Sequence, residues 1–579
     1  MGSCDNQKMA VLLVWASWAE RAPDESTWRR LVARVAARTP FAGSETSGDG
    51  YRVFVAPGRR AEVDCLDAQS EVVTAWDGSE PMDRRCADLR QILAEGRSFS
   101  AVRIHRNRQR IELARDTMGR QLLVWASIPG GLVAASGEHI LRAHPAVSAT
   151  LDEDYLAAFL AHVPSAQNAS AYRDIRVLAA GELLTVEAGR FRSERFRPGF
   201  SEAAWGLRDA QIIERHQDLV ESAVRRACSD VDRIGISLSA GLDSSTVAAF
   251  VPANLRMRIR PVCYGFDRWP EIDERRLVGE LCSQIGLVPE SFAADDLTPF
   301  NPEHRRTVDP DTPLAGPYRE IKERLYDCFE AAGVGVWLTG NFGDHLQADH
   351  DSWFISGMRQ GRWRALGREL LHLATKRPWI AYRDRGLRRG VRALLNRQQP
   401  PPGAVNALRD PWRSRVRDRL IAEVEEFRDF PRPEQAHGAL SAYANRDACA
   451  ENYYAQCRGM QQRAPFRDYE LSRWCLSLPT DVLYRRGISK WILRQTLKGR
   501  VPESVAARPK ASLLTDYALS GLRQAQPRLL AACAEVRHLI DGFIDPPVDG
   551  NEEAQAVHQL TAATFALWLE TAEADSRKA

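Results

Sequence analysis

The stretch that most limits how this chain can fold is SLSAGLDSST, residues 237–246. It joins the apolar run RIGISL (233–238) to the helix-compatible SSTVAAFV (244–251). Ser239, Ala240, Gly241, Leu242, Asp243 and Ser244 crowd small side chains and hydroxyls into one strand-to-helix turn. Such a turn leaves backbone N–H groups pointing outward at a helix N-terminus, where they and the helix dipole favour a phosphate chain. No lysine lies in the turn and G-x-x-x-x-G-K-[ST] is absent, so it is not a Walker loop. Asp243 would repel a bare phosphate, but it makes sense beside a magnesium ion. Taken alone, the same turn would also suit a small-residue joint that lets a helix pack on a sheet.

At 579 residues the chain is too long for one core, and two to four domains are expected. A net charge of +3, from 79 basic and 76 acidic residues, gives no reason to expect nucleic acid or a membrane surface as partner. The 11 cysteines include no CxxC pair, which fits reduced thiols and a cytoplasmic location. No run of about 18 uncharged apolar residues occurs, so no membrane span is expected. KMAVLLVWASWAE (8–20) reads as a first buried strand rather than a signal sequence.

The first ~200 residues are β-rich, with YRVFVA, SAVRIHR, QRIELA, QLLVWAS and GLVAAS separated by charged or glycine turns. GELLTVEAGRFRSERF (181–196) has the pattern of a closing hairpin. RDAQIIERHQDLVESAVRRACSD (208–230) then carries apolar residues at helical spacing. Beyond it strands alternate with helices, and the tail is mostly helical. The expected domains are therefore 1–205 and 206–579. KRPWIAYRDRGLRRGVRALLNRQQPPPG (376–403) is basic and reads as an exposed insertion.

SLSAGLDSS resembles the SGGxDS pyrophosphate loop of the N-type ATP pyrophosphatases, with Ala240 in place of the first glycine. The resemblance extends along the chain to the asparagine synthetase superfamily. RPVCYGFD (260–267) looks like the second strand, whose end lines an adenine pocket at Tyr264. WLTGNFGDHL (337–346) is similar to the family's S-G-E-G-x-D-E segment, and RAPFRDYELSRWCLSLP (463–479) to its R-x-P-F-x-D motif. GISKWILRQTLKGRVPESVAARPKAS (487–512) resembles the family tail, and IELARDTMGRQLLVWASIPGGLVAASGEHILRAHPAV (111–147) the A-R-D-x-x-G segment of its glutaminase domain. The fold this implies is mixed α+β and α/β in two domains. An N-terminal-nucleophile-type β-sandwich, a degenerate glutaminase, would precede a PP-loop α/β synthetase domain with a large helical C-terminal part.

The resemblance also implies site residues. ATP would be held by Leu238, Ser239, Ala240, Gly241, Leu242, Asp243, Ser244, Ser245, Tyr264, Thr339, Gly340 and Arg494. Mg²⁺ would sit on Asp243 and Asp344. Lys490 falls on the family's catalytic lysine, while Asn341 replaces its glutamate. A base for the incoming amine is not evident, and His345 and Glu451 are the candidates.

The family pattern breaks at the start. A working glutaminase needs an N-terminal cysteine with a free amine, whereas MGSCDNQKMAVLL places Cys4 elsewhere, where nothing would activate its thiol. The amine is then expected to come from the substrate, as it does in two branches of the superfamily, β-lactam synthetases and lasso peptide macrolactam synthetases. F-G-D-H-L-Q (342–347) is close to the lasso cyclase form, and Asn341 is not the tyrosine associated with β-lactam synthetases. The expectation is an ATP-dependent ligase that adenylates an aspartate or glutamate side chain of a precursor peptide. It would close the ring with the peptide's own amine and release AMP and pyrophosphate. A leader-binding protein and a leader peptidase would be partners. An asparagine-synthetase-like or β-lactam-type ligase acting on a small molecule is the alternative.

Overall fold

The computed structural model describes residues 11–18, 24–38, 43–48, 50–56, 61–65, 72–78, 88–105, 110–201, 204–229, 231–301, 303–304, 308–313, 318–348, 352–376, 386–388, 391, 403–508, 515–545 and 552–577. Cys4 and most of the basic segment 376–403 lie outside them. In chain order the N-terminal strands are β1 (Val11–Ser17), β2 (Ser44–Gly48), β3 (Tyr51–Ala56), β4 (Ala61–Cys65), β5 (Val72–Gly78), β6 (Phe99–His105), β7 (Arg110–Arg115), β8 (Val124–Ile128), β9 (Gly131–Ala135), β10 (Ile175–Val177), β11 (Glu182–Glu187) and β12 (Arg190–Arg195). They pair into two antiparallel sheets, ordered β10-β8-β9-β1-β3-β2 and β12-β11-β7-β6-β5-β4.

β1 explains why its run VLLVWA is apolar at every position rather than alternating. Leu12, Val14 and Ala16 meet Val102, Ile104, Ile111 and Leu113 of the second sheet. Val11, Leu13 and Trp15 point the other way, into helices α1 (Glu25–Arg38), α3 (Glu138–Leu141) and α4 (Glu153–Leu160). The second sheet is covered on its far face by α2 (Leu89–Ala94) through Leu89, Ile92 and Leu93. A strand buried on both faces has no polar side, so period-2 alternation disappears. The layers are helix, sheet, sheet, helix.

The second half is built on a parallel sheet of β13 (Ile234–Ser237), β14 (Ile259–Gly265), β15 (Glu290–Ala293), β16 (Val336–Leu338) and β17 (Gln461–Arg463), ordered β15-β14-β13-β16-β17. Its helices are α5 (Asp209–Ala227), α6 (Leu242–Ala249), α7 (Arg275–Ile285), α8 (Arg319–Ala331) and α9 (Gly343–Gln347). β13 lies in the middle, paired in parallel with β14 on one side and β16 on the other. Strand order reverses there, which opens a crevice beyond the carboxyl ends of the strands. The turn 238–241 leads out of β13 into that crevice.

The two halves share cores. The helices Thr515–Phe543 and Glu552–Arg577 send Val536, Ile540, Phe543, Phe565 and Trp568 into the helical layer over the first sheet. Division by chain order at about residue 205 therefore separates strand types but not hydrophobic cores. Among the described residues, no helix is long and apolar enough to cross a membrane.

Candidate functional site

The turn after β13 is held open by its own hydroxyls. The Ser239 amide donates to Ser244 Oγ at 3.3 Å, and the two serine hydroxyls lie 3.2 Å apart. Leu238 N–H is tied to Val262 O of β14 at 2.9 Å, and Gly241 O accepts the Ser245 amide at 3.0 Å, which starts α6. Ala240 is fully buried with φ +32°, a conformation where glycine would carry no steric penalty. Asp243 lies in the first turn of α6, at the positive end of the helix. Ser244, Ser245 and Leu238 are buried behind the turn.

The second wall comes from the end of β16. Gly340 runs so close to α6 that a Cβ there would fall 2.5 Å from the Ser244 amide nitrogen and 2.7 Å from the Asp243 carbonyl carbon. Thr339 is buried, donates its amide to Arg463 O and accepts the Asn341 amide on its hydroxyl at 3.3 Å. Phe342 adopts φ +78° and turns the chain into α9, which carries Asp344 and His345.

The third component is the hairpin Tyr484–Arg485 / Ile488–Ser489, whose turn amides at Arg486 and Gly487 donate to the buried Glu369 carboxylate. It delivers Lys490, itself at φ +57° and only 9% exposed. The Lys490 ammonium donates to Asp243 Oδ2 at 2.5 Å and lies 2.8 Å from Asp344 Oδ1. Burial alone would lower the lysine's pKa, but the two carboxylates outweigh it and hold the group above its ordinary value. Two carboxylates that reach one ammonium can also reach one divalent ion. That donor set fits Mg²⁺, which takes one or two carboxylates, keeps waters and completes its shell with substrate phosphates. Among the described residues, no cluster of three or more potential metal ligands offers a different centre.

A buried histidine frames these parts. His216 of α5 bonds Thr496 Oγ1 through Nδ1 at 2.8 Å, and the Gln347 amide of α9 meets its Nε2 at 3.3 Å. One neutral imidazole thereby joins α5, α9 and the helix Trp491–Leu497 that follows Lys490. Burial pushes its pKa down to about 3.

Other residues named from the sequence fall in different places. Tyr264 stands at the end of β14 among Phe266 and Phe292, its hydroxyl pushed up to about 12 by burial. Asn341 is exposed. The His345 side chain leans on the Phe342 ring at 5.5 Å, and its pKa is held down by the surrounding walls and then by the Arg467 charge.

Arg494 does not turn to the loop. Its guanidinium donates to the carbonyls of Ser489, Ala506 and Arg508, pinning the chain after its own helix rather than offering donors to phosphate. Glu451 is buried on the helix Ala442–Gln456 and ion-paired with Lys322, with Arg319 at 3.9 Å and the Tyr326 hydroxyl at 3.4 Å. Burial pushes its pKa up, yet Lys322 and Arg319 bring it below the usual value, so it is a committed carboxylate and not a free base.

A cavity of about 510 Å³ opens between the halves. Gly96 and Arg120 line it from one side, and Asn341, His345, Asp447 and Arg467 from the other. Asp447 was not singled out by the sequence. The available signal was its position four residues before Glu451, which puts both carboxylates on neighbouring turns of one helix. The motif RAPFRD acquires a structural reading here. Asp468 caps the helix Tyr469–Ser477, and Arg467 crosses to Met118 O in the first half.

An asparagine synthase family model matches residues 215–569, and a glutamine amidotransferase domain model matches residues 92–197. The chain is 23% identical over 453 residues to asparagine synthetase [glutamine-hydrolyzing] 2 of Bacillus subtilis (strain 168), covering 71% of this chain and 55% of that protein. It thus spans about half the length of the curated relative it matches. Similar solved structures include an allosteric regulatory enzyme of purine biosynthesis, at 11% identity over 52% of this chain and 82% of that one. Another is the glutamine phosphoribosylpyrophosphate amidotransferase of B. subtilis, at 11% identity over 58% and 91%. Both superpose with a TM-score of 0.24, too low to bear on fold or activity. With one family model running through the parallel sheet, the Asp243–Asp344–Lys490 centre and the helical tail, this chain belongs to the asparagine synthase family.

Proposed function

We propose that the chain is an ATP-dependent, AMP-forming carbon–nitrogen ligase. Its substrate is a peptide whose aspartate or glutamate side chain is activated and then closed onto the peptide's own N-terminal amine, as in lasso macrolactam synthetases. Members of the asparagine synthase family form C–N bonds with ATP. The observation that carries the reading is the Lys490 ammonium bridging Asp243 and Asp344 at the mouth of a phosphate-shaped turn. Mg²⁺ held by those carboxylates would neutralise charge on the departing pyrophosphate. The turn amides and Ser239 and Ser244 orient the phosphate chain, while Lys490 stabilises the oxyanion formed when the amine attacks. The peptide reading is supported by Asn341 where the family has glutamate, and by a cavity large enough to receive a chain segment beside it.

The test is pyrophosphate exchange into ATP with candidate leader-free peptides, followed by mass analysis for loss of one water, with no glutamine or ammonium present. Exchange and cyclised product are expected with a peptide. Exchange with free aspartate or another small acid, and with no peptide, would transfer the activity to the small-molecule alternative. ADP and orthophosphate as primary products would remove the AMP-forming reading itself.

A further inference from the structure

Asp447 differs from its helix neighbour Glu451 in a way that bears on the amine. Glu451 is consumed by Lys322 and Arg319. Asp447, among the described residues, makes no hydrogen bond or ion pair, and it faces the cavity between the halves. Four of the arginines that line the cavity are held by other groups. Arg226 pairs with Asp468 at 2.7 Å and Arg120 with Asp116 at 3.3 Å. Arg463 donates to the carbonyls of Ala227 and Ser229, and Arg467 to those of Ala444 and Met118. An uncommitted carboxylate in such a lining selects a cation. The cavity also shares a wall with the nucleotide centre, because Asn341 and His345 line it and flank Asp344, which touches Lys490.

We infer that Asp447 is the general base of the ligase, and that the cavity is the binding site for the nucleophile, a primary ammonium. This rests on the ligase reading above. Asp447 takes one proton from R–NH₃⁺ and becomes a neutral carboxylic acid. The freed amine attacks the acyl carbon of the adenylate beside Asn341 and Lys490. The C–N bond forms, the acyl C–O bond breaks with its electron pair leaving on AMP, and the second nitrogen proton passes to solvent.

The surroundings suit a base. Asp447 is exposed to the cavity, and the enclosing walls raise its pKa, Lys322 of α8 lowers it, Glu451 on the same helix raises it and Arg467 lowers it, leaving the carboxylate above its ordinary value. Glu95, Arg97 and His345 also face the cavity. A carboxylate of raised pKa accepts a proton more readily than a free aspartate.

The experiment uses the full chain with whichever substrate supports pyrophosphate exchange in the unmodified protein. Asp447→Asn is compared with Asp447→Glu in three assays: exchange, amide formation, and trapping of the adenylate by hydroxylamine, which is largely unprotonated at neutral pH. The Asn variant is expected to retain exchange and hydroxamate formation within about twofold, while amide formation falls about 10²- to 10⁴-fold. The Glu variant should recover part of that loss. Near-normal amide formation by Asp447→Asn overturns the inference. So does parallel loss of all three activities, which would mark Asp447 as structural. If no substrate supports exchange in the unmodified protein, the ligase reading fails and the base with it.

Discussion

Lys490 is the residue on which the largest single effect is expected. Its ammonium is held by two carboxylates of which one, Asp243, is itself part of the phosphate turn. Lys490→Ala should lower amide formation about a hundredfold to a thousandfold, the size of one lost oxyanion contact, with ATP·Mg²⁺ affinity changed much less. Asp344→Asn should weaken nucleotide–metal binding as well as turnover. Titration calorimetry with ATP·Mg²⁺ on the two variants separates these roles, and equal losses of affinity would show that Lys490 mainly binds nucleotide. A second effect follows from the same triad. Removing the lysine takes from Asp243 and Asp344 the ammonium they share, so MgCl₂ should raise the melting temperature of Lys490→Ala more than that of the unmodified protein. Ala240, like Lys490, has a positive φ. A left-handed alanine costs about 1–2 kcal/mol, partly offset because its methyl is fully buried among Ile236 and Val247 of the same core.

At the scale of elements, α5 positions two of the three walls of the site through His216. In the unfolded chain this histidine titrates near its ordinary 6.5, whereas burial holds it near 3 in the fold. Between those values the unfolded state binds the extra proton, so stability is complete above about pH 6.5 and falls as the pH drops toward 3. The slope is up to about 1.4 kcal/mol per pH unit. His216→Gln should flatten the fall in urea midpoint between pH 7.5 and pH 5. The slope should diminish without vanishing, because burial also holds His144 down, to about 4. An unchanged slope would show that other groups govern acid sensitivity.

At the scale of the whole molecule, the halves are joined by buried charge. Glu138 of α3 pairs with Arg446 and accepts the Ser170 hydroxyl at 2.6 Å, all three residues being buried. Arg115 of β7 donates to Gly119 O at 2.8 Å and reaches Cys449 Sγ at 3.5 Å across the interface. Trp568 of the last helix lies against Tyr172 and donates to Pro310 O at 3.2 Å. Arg446→Met strands Glu138 without its cation, and a loss of about 3–5 kcal/mol is expected. Urea unfolding followed by circular dichroism should show one transition moved to lower denaturant. Two separated transitions would mean that the halves fold independently.

What the sequence determined by itself is whatever depends on near neighbours in the chain. The run RIGI, the small-residue turn and SSTVAAFV specify strand, turn and helix within about twenty residues, and the structure forms β13 and α6 there. The hairpin expected at 181–196 pairs as β11 and β12 for the same reason. Glu451 and Asp447 could not be ranked that way. They share a helix and a side-chain type, and the choice between ion pair and open carboxylate is made by Lys322, 129 residues away from Glu451. Arg494 stood at helical spacing from Lys490, but folding places the Ala506 and Arg508 carbonyls against its guanidinium, and a donor already satisfied has little left for phosphate. The packing of the C-terminal helices on the first sheet was likewise invisible, since an apolar helix face does not specify which apolar surface will cover it. Hydrophobic burial is non-directional, and only the assembled tertiary structure selected the partner.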